Sequence, residues 1–256
     1  MSTDSHWQQQ YTKFGSYENE VSRGNVRGAY PVSSYGKLIT AGGVTRTLVR
    51  DFDGSALTVP QSVQLTLVSD SANDSALGTG ARTVVLEYLN GDLELSFEVI
   101  SLNGTTSVNS VATDIRWVEA IHVATAGSGG VAAGTITAVN GGTTYAQISP
   151  SERTMHSSFF RVPAGKKLYI NSMYGGSSSG TAATSTLLQL VSTQVNGLDQ
   201  QETGLFYSQA GIALQDNSTA LSLTMPLPVT AGHIVGFIAT CDKGATITAG
   251  FTGWVE

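Results

Sequence analysis

The 256-residue sequence has few charged residues, and the basic ones are in the minority. Charged residues make up 12% of the chain, where about 25% is usual for a soluble domain. Solubility must therefore come from uncharged polar side chains, or neighbouring subunits must cover part of the surface. The net charge is −6, and phosphate binding needs clustered lysine and arginine. The sequence therefore predicts no nucleic-acid partner.

Cysteine and long apolar runs are also scarce. The single cysteine, Cys241, excludes an internal disulfide and with it a cystine-stapled secreted module. No stretch approaches the roughly 20 consecutive apolar residues of a transmembrane helix. The first twenty residues lack the apolar segment of a signal peptide. We therefore expect no membrane partner and a protein that is made in the cytoplasm and stays soluble or assembles there.

Glycine and alternating apolar residues are abundant, most clearly in residues 83–104. Asn90-Gly91 is the pair that best tolerates the two positive φ angles of a type I′ turn between antiparallel strands. The residues that alternate after it are apolar at Leu93, Leu95, Phe97 and Val99 and polar at Asp92, Glu94, Ser96 and Glu98. Because side chains along a strand point alternately to opposite faces, this pattern predicts a hairpin with the apolar set on the core.

Similar short strands follow one another along the rest of the chain, with no sustained helical period. Gly42-Gly43 indicates a hairpin within residues 36–50, and Pro226 and Pro228 indicate a strand that ends at a sheet edge. The sequence predicts an all-β fold of two consecutive antiparallel β-sandwich (jelly-roll-like) domains, residues 31–150 and 151–256, with the boundary in residues 149–158. One larger jelly roll is the alternative.

Residues 1–30 are polar but contain several aromatic side chains without a strand or helix period, and aromatic side chains stabilise most when they are buried. We interpret this segment as an extended N-terminal arm that docks on a neighbouring subunit. A segment folded back on its own domain is the alternative. The candidate partner-binding residues of the arm are Trp7, Tyr11, Phe14, Tyr17, Arg23 and Arg27.

Residues with catalytic or metal-binding chemistry are present but not in recognisable constellations. None of the four histidines has a metal-ligand partner at helical or turn spacing. Cys241 ends an apolar strand, which favours a buried and inert thiol. Asp51 and Asp53 are typical of a turn rather than of a calcium site. We therefore expect a non-enzyme with no cofactor and no metal.

One series of motifs resembles a known family. The segment LEYLNGDLELSFEVISLNGTT (residues 86–106), followed by TDIRW (113–117), AGTIT (133–137) and VPAGKKLYI (162–170), is similar to tailed-bacteriophage virion structural proteins of the marine and cyanobacterial phage type. The similarity covers roughly residues 60–175, and the order and spacing of the motifs carry it. Residues 1–30 and those after Thr184 match no motif of the family.

The resemblance implies a virion component without enzymatic activity. We expect a capsid decoration (cement) protein that forms a homo-oligomer and contacts other virion proteins, either the major capsid protein or portal and tail proteins. A neck, collar or tail component is the close alternative.

A carbohydrate- or receptor-binding sandwich is a hypothesis of a different class. Loops 69–80 and 175–184 would form its site, with Trp117, Tyr174 or Trp254 stacking on sugar rings. An enzyme ranks last, because a glycan depolymerase needs two carboxylates roughly 5–10 Å apart and the sequence identifies no such pair.

Overall fold

The computed structural model describes residues 16–52, 57–179, 184–193, 206–215 and 218–256. In these ranges the chain forms one short helix and seventeen strands, all paired antiparallel, so the predicted all-β class is confirmed. The elements are α1 (Tyr17–Ser22), β1 (Tyr30–Ser33), β2 (Gly36–Ile39), β3 (Gly42–Leu48), β4 (Thr66–Ser69), β5 (Ala81–Leu89), β6 (Leu95–Ser101), β7 (Val108–Asn109), β8 (Trp117–Ala126), β9 (Ile136–Asn140), β10 (Thr143–Ile148), β11 (Phe160–Arg161), β12 (Lys167–Ser178), β13 (Ser185–Thr193), β14 (Phe206–Gln215), β15 (Ser218–Thr230), β16 (Ile234–Lys243) and β17 (Thr246–Val255).

Two sheets share one core and form what we call the terminal sandwich. One sheet has the order β1-β17-β12-β15 with β2 beside β17, and the other has the order β11-β16-β13-β14 with β3 beside β16. Ile170 and Phe251 of the first sheet pack in the same cluster as Leu190 and Phe237 of the second, and all four are fully buried. The strand with Pro226 and Pro228 is last in its sheet, as the missing N–H donors predict.

The strands between residues 66 and 148 form the central sandwich. Its sheets have the orders β10-β9-β4-β7 and β6-β5-β8. Leu67 and Ile136 of the first sheet and Leu86 and Ile121 of the second are fully buried in a common cluster. The two sheets therefore pack face to face, as in a sandwich.

The terminal sandwich is built from two separate parts of the chain, β1–β3 and β11–β17. The prediction of two consecutive domains does not describe this arrangement. β1 and β2 pair with β17, and β3 pairs with β16. The predicted first domain began at residue 31, whereas in the structure these three strands complete the sheets built by the last third of the chain. The physical reason is the burial of Leu38 and Val49 in the terminal core. Pairing partners about 200 residues apart leave no trace in local patterns.

The predicted hairpin around Gly42-Gly43 is wrong for the same reason. β2 and β3 follow one another but lie in different sheets, and so do β16 and β17. The two segments cross the corner of the sandwich together, where the Thr40 N–H donates to the Ala245 carbonyl at 2.9 Å. A Cβ on Gly244 would lie 2.6 Å from the Ala41 carbonyl oxygen, so this close approach requires glycine.

The hairpin of β5 and β6 is confirmed, but its turn and its facing are not as predicted. Leu89 pairs with Leu95 across a five-residue loop, in which the Asn90 N–H donates to the Glu94 carbonyl and positive φ falls on Leu93. The Asn90 side chain accepts the Asp92 and Glu94 N–H groups. A two-residue turn would set Phe97 opposite Val84, whereas the observed register sets Phe97 opposite Glu87. This odd shift moves Leu95, Phe97 and Val99 to the outer face.

The two sandwiches meet in a third apolar cluster, which explains the unusual turn. Leu93 is only 2% exposed and lies in this cluster with Trp117, Phe159 and Ile238. The Leu93 carbonyl also accepts the Ala164 N–H at 2.9 Å. Burial of a leucine side chain stabilises by roughly 1.5–3 kcal/mol, which offsets the cost of one strained φ angle of roughly 1–3 kcal/mol. The hydrogen bond from Ala164 adds to the stabilisation. The junction between sandwiches thus determines the turn.

Residues 16–30 are not an extended arm. Residues 17–22 form α1, because the Ser16 side chain caps the helix by accepting the Asn19 N–H and Glu18 and Glu20 occupy its first turn. Gly24, with a positive φ of 74°, follows the end of the helix and stops it from continuing. Val21 is 1% exposed. For these residues the structure shows the alternative, a segment folded back on its own chain.

Candidate functional site

The six predicted arm residues fall into two groups. Trp7, Tyr11 and Phe14 lie outside the described residues. Tyr17 packs edge-on against Trp254, with ring centroids 5.7 Å apart, and its hydroxyl donates to the Glu256 carboxylate. This contact is made within the chain.

The two arginines of the predicted site, Arg23 and Arg27, have different environments. Arg23 forms a 2.9 Å ion pair with Glu20, which is itself 7% exposed. Asn25 donates to the same carboxylate at 2.7 Å. Arg23 therefore helps to neutralise a buried acid, while Arg27 is exposed.

An aromatic stack holds the described part of the N-terminal segment against the terminal sandwich. Trp254 stacks on Tyr169 with ring centroids 5.3 Å apart, and Tyr17 packs edge-on against the same Trp254 ring. Next to this stack is a cavity of about 320 Å³ between α1, β1 and β17. Lys166 donates to the Gly28 carbonyl at 2.6 Å and fixes the far end of the segment.

Polar side chains gather where the chain crosses between the sandwiches, in a group we call the junction cluster: Lys37, Asp51, Ser149, Glu152 and His156. His156 is 8% exposed and lies 3.6 Å from the Asp51 carboxylate and 3.9 Å from that of Glu152. Lys37 reaches the other Glu152 oxygen at 3.3 Å. Burial raises the pKa of Asp51, while the Ser149 hydrogen bond and the charge of His156 act to lower it.

The junction cluster contains Ser, His and Asp but not the geometry of nucleophilic catalysis. The Ser149 hydroxyl donates to Asp51 at 3.0 Å, whereas an activated serine must donate to the imidazole. The adjoining cavity, about 410 Å³, is lined by both cations and carboxylates. Among the described residues no three His, Cys, Asp or Glu side chains are placed to hold a metal ion. The arrangement is a partly buried polar network where the sandwiches meet.

Sequence reasoning missed the junction cluster because its members are far apart in the chain. His156 was one of four histidines without a local partner, and its contact with Asp51 spans about a hundred residues. The only local signal is the polar run 149–158 between apolar strands.

A buried carboxylate organises loop 69–80, the loop proposed above for sugar binding. Asp74 is fully buried, and its two oxygens accept hydrogen bonds from the Ser69 hydroxyl and from three backbone N–H groups, those of Ala81, Ala133 and Gly134, at 2.7–2.9 Å. Asp70 adds a bond from the Thr135 N–H at 2.8 Å. The loop is therefore fixed to the segment that precedes β9.

The aromatic residues proposed for sugar stacking do not present their faces to solvent. Trp117 is 5% exposed and Trp254 is 7% exposed. Tyr174 is half-buried, and its hydroxyl donates to the Ser34 carbonyl. Residues 175–178, predicted as part of a loop, continue β12. Cys241 is buried, as predicted, and its thiol contacts the Lys243 carbonyl at 3.1 Å.

The exposed apolar side chains of β6 form the clearest interaction surface of the described residues, which we call the β6 strip: Leu95, Phe97 and Val99. They are 50%, 73% and 62% exposed. β6 is an edge strand of its sheet, and the corresponding edge strand of the facing sheet, β7, has only two residues. Glu98, predicted to be solvated, points to the core side opposite Leu86 and accepts the Val111 N–H at 2.8 Å.

Comparison with known proteins gives only distant likeness. No protein-family model matches this chain, and no curated protein matches it. A structure of infectious bursal disease virus, Gx strain, is 11% identical over 89% of this chain and 70% of that chain, with a TM-score of 0.25. The VP2 subviral particle of the same virus is 9% identical over 89% and 71%, with a TM-score of 0.16. Scores this low support no conclusion about fold or function. The one described helix is too short to span a membrane.

Proposed function

We propose that this chain is a non-enzymatic bacteriophage virion structural protein that decorates the capsid and binds neighbouring subunits through its sandwich surfaces and N-terminal segment. The observation that carries the proposal is the β6 strip. Three adjacent large apolar side chains on an open sheet edge are unusual for an isolated soluble domain, and such patches mark protein contacts. The motifs between residues 86 and 170 supply the phage assignment.

The low charge of the chain supports the same role. A surface that neighbouring subunits cover does not need the charge that keeps a free protein in solution. The 12% charged residues fit such a surface. The junction cluster, with its serine bonded to a carboxylate, fits a scaffold better than an active site.

The proposed partner-binding residues of the N-terminal segment are Trp7, Tyr11, Phe14 and the exposed Arg27. Tyr17 and Arg23 make contacts within their own chain and are therefore left out of the proposal. Aromatic side chains of this kind anchor many protein interfaces. The proposed partners are the major capsid protein or, in the alternative position, portal and tail proteins.

Cryo-electron microscopy of particles that contain this chain tests the proposal. Copies distributed over the shell at capsomer junctions are the expected result. Copies confined to one ring at the portal or tail would replace decoration by a neck or tail role. Absence of the chain from every purified particle would overturn the virion assignment.

A variant pair tests the N-terminal segment separately. Trp7→Ala/Tyr11→Ala/Phe14→Ala should fold normally but fail to enter particles. The matched control Gln8→Ala/Gln9→Ala/Gln10→Ala alters the same segment without its aromatic rings and should be incorporated. Normal incorporation of the aromatic variant would contradict the proposed role of these three residues.

A further inference from the structure

Among the described residues, no strand lies beside the second edge of β6, the one that faces away from β5. At the two ends of the β5–β6 ladder, the Asn90 N–H donates to the Glu94 carbonyl and the Leu102 N–H donates to the Arg82 carbonyl. Hydrogen-bonded residues alternate along an antiparallel pair. Ser96, Glu98 and Ile100 therefore bond to β5, and the backbone groups of Leu95, Phe97, Val99 and Ser101 point away from it.

The side chains at this edge form a self-complementary series. Antiparallel pairing of two β6 strands around Phe97 would set Phe97 against Phe97 of the second copy and Leu95 against Val99. All these side chains are on the outer face and exposed. Cross-strand partners lie on the same face of a sheet, so the two β6 strips would become one continuous apolar stripe.

Charge favours the register centred on Phe97 over the register centred on Glu98. Pairing around Phe97 sets Ser96 against Glu98, which are a neutral and a charged residue. Pairing around Glu98 would set two carboxylates directly opposite each other, which is destabilising. The Phe97-centred register also joins groups that are free to bond, because the backbone of Phe97 points away from β5.

We propose that two copies of this chain associate through their β6 strands, antiparallel and centred on Phe97, to form a six-stranded sheet across a two-fold axis. A second copy is the occupant because the edge matches itself in apolar side chains, in charge and in backbone groups. Such isologous contacts are the commonest in homo-oligomers, and addition of a strand to an open edge is a common mode of recognition. The inference rests on the proposed assembly role, since it names the partner of the β6 strip.

The contact made by one seven-residue strand is small. Interfaces below about 1,200 Å² of total buried surface are generally weak or transient. We therefore expect a monomer–dimer equilibrium that depends on concentration, which is measured by sedimentation velocity across a dilution series of the purified full-length chain. A chain that stays monomeric at its highest soluble concentration would overturn the inference.

Two charge variants test the surface. Phe97→Lys should weaken dimerisation by about tenfold or more, because it removes the central ring and sets two like charges at the axis. Leu77→Lys is the matched control, since Leu77 is an exposed apolar residue of the same sandwich outside β6. Unchanged dimerisation of Phe97→Lys, or equal loss in both variants, would overturn the assignment of the interface.

Cysteine variants test the register. In the proposed pairing the two Cα atoms at position 97 lie about 5.5 Å apart, within the roughly 4.4–6.8 Å of disulfides. Phe97→Cys should therefore form a covalent dimer under mild oxidation. Glu98→Cys and Leu95→Cys should not, because their Cα atoms would lie about 8 Å and 14 Å from their own copies, given the spacing along and between strands. Cross-linking of Glu98→Cys in preference to Phe97→Cys would overturn the register.

These results are separable from the virion test. A monomer in solution that is nevertheless found in particles would overturn only the β6 pairing. A dimer that is absent from all particles would overturn only the virion assignment.

Discussion

Arg161 and Glu119 meet across the junction between the two sandwiches, where the backbone N–H of Arg161 donates to the Glu119 carboxylate at 3.2 Å. The Arg161 guanidinium also donates to the Arg116 carbonyl at 3.0 Å. Burial, reinforced by the charge of Arg116, lowers the pKa of Arg161 to about 10, although Glu119 acts to raise it. Burial raises the pKa of Glu119 well above its usual 4.5. β8 of the central sandwich is thereby joined to β11 of the terminal one.

The raised pKa of Glu119 predicts a pH-dependent stability. A carboxyl whose pKa is raised on folding binds its proton more tightly in the folded state. Its stabilising contribution is therefore present below pH 4.5 and is lost as the pH rises through the raised pKa. Glu119→Gln should remove this loss, which amounts to at most about 1.4 kcal/mol per pH unit. Urea unfolding at a series of pH values measures the slope.

The comparison with the wild type isolates Glu119, because the raised pKa of Asp51 adds a slope of the same sign in both proteins. An unchanged pH slope in Glu119→Gln would show that this carboxyl does not titrate as its burial requires. Asp51→Asn in the same series gives the second contribution separately.

Asp74 predicts a large loss of stability on truncation. Asp74→Ala removes the acceptor of three backbone N–H groups and leaves them in a buried loop. Each unsatisfied buried group costs about 1–3 kcal/mol, so we expect a loss of about 3 kcal/mol or more in the free energy of unfolding. Asp92→Ala, at an exposed position, should change it by less than about 0.5 kcal/mol. A similar small effect of both variants would contradict the central role of Asp74.

The inverted facing of β6 predicts opposite outcomes for two phenylalanines in strands. Phe237 is fully buried and Phe97 is 73% exposed. Phe237→Ala should lower the free energy of unfolding by about 3–5 kcal/mol, and Phe97→Ala by less than about 0.5 kcal/mol when measured on the monomer. Thermal or urea unfolding at low protein concentration compares them. If Phe97→Ala lowered the free energy of unfolding as much as Phe237→Ala, Phe97 would be a core residue, as the alternation of the sequence alone predicts.

Tyr17 distinguishes a folding role from a partner-binding role. Tyr17→Ala removes the ring contact with Trp254 and the bond to Glu256, so we expect a loss of about 1–2 kcal/mol, in the ordinary range for a residue with packing contacts. Arg27→Ala, at an exposed position of the same segment, should have little effect on unfolding. Unchanged stability of Tyr17→Ala together with lost incorporation into particles would instead make Tyr17 a partner-contact residue.

The sequence by itself determined the all-β class and the position of most strands. Alternation of apolar and polar residues is a local property, and so are the φ requirement of a turn and the missing donor of a proline. Residues 83–104 are therefore predicted to contain two paired strands, and Pro226 and Pro228 to lie in an edge strand; the structure has the paired strands at 81–89 and 95–101 and the prolines in the last strand of their sheet. The buried state of Cys241 followed in the same way from the apolar strand that contains it.

Only the tertiary structure decided which strands pair, which face of β6 is covered and which polar groups meet. β2 lies beside β17, and His156 lies beside Asp51, because contacts across about a hundred residues or more depend on how the whole chain closes. Burial of Leu93 at the junction lengthened one turn and shifted the register by an odd number of residues. That shift turned Phe97 from a core residue into a surface one, because side chains on a strand alternate with a period of two.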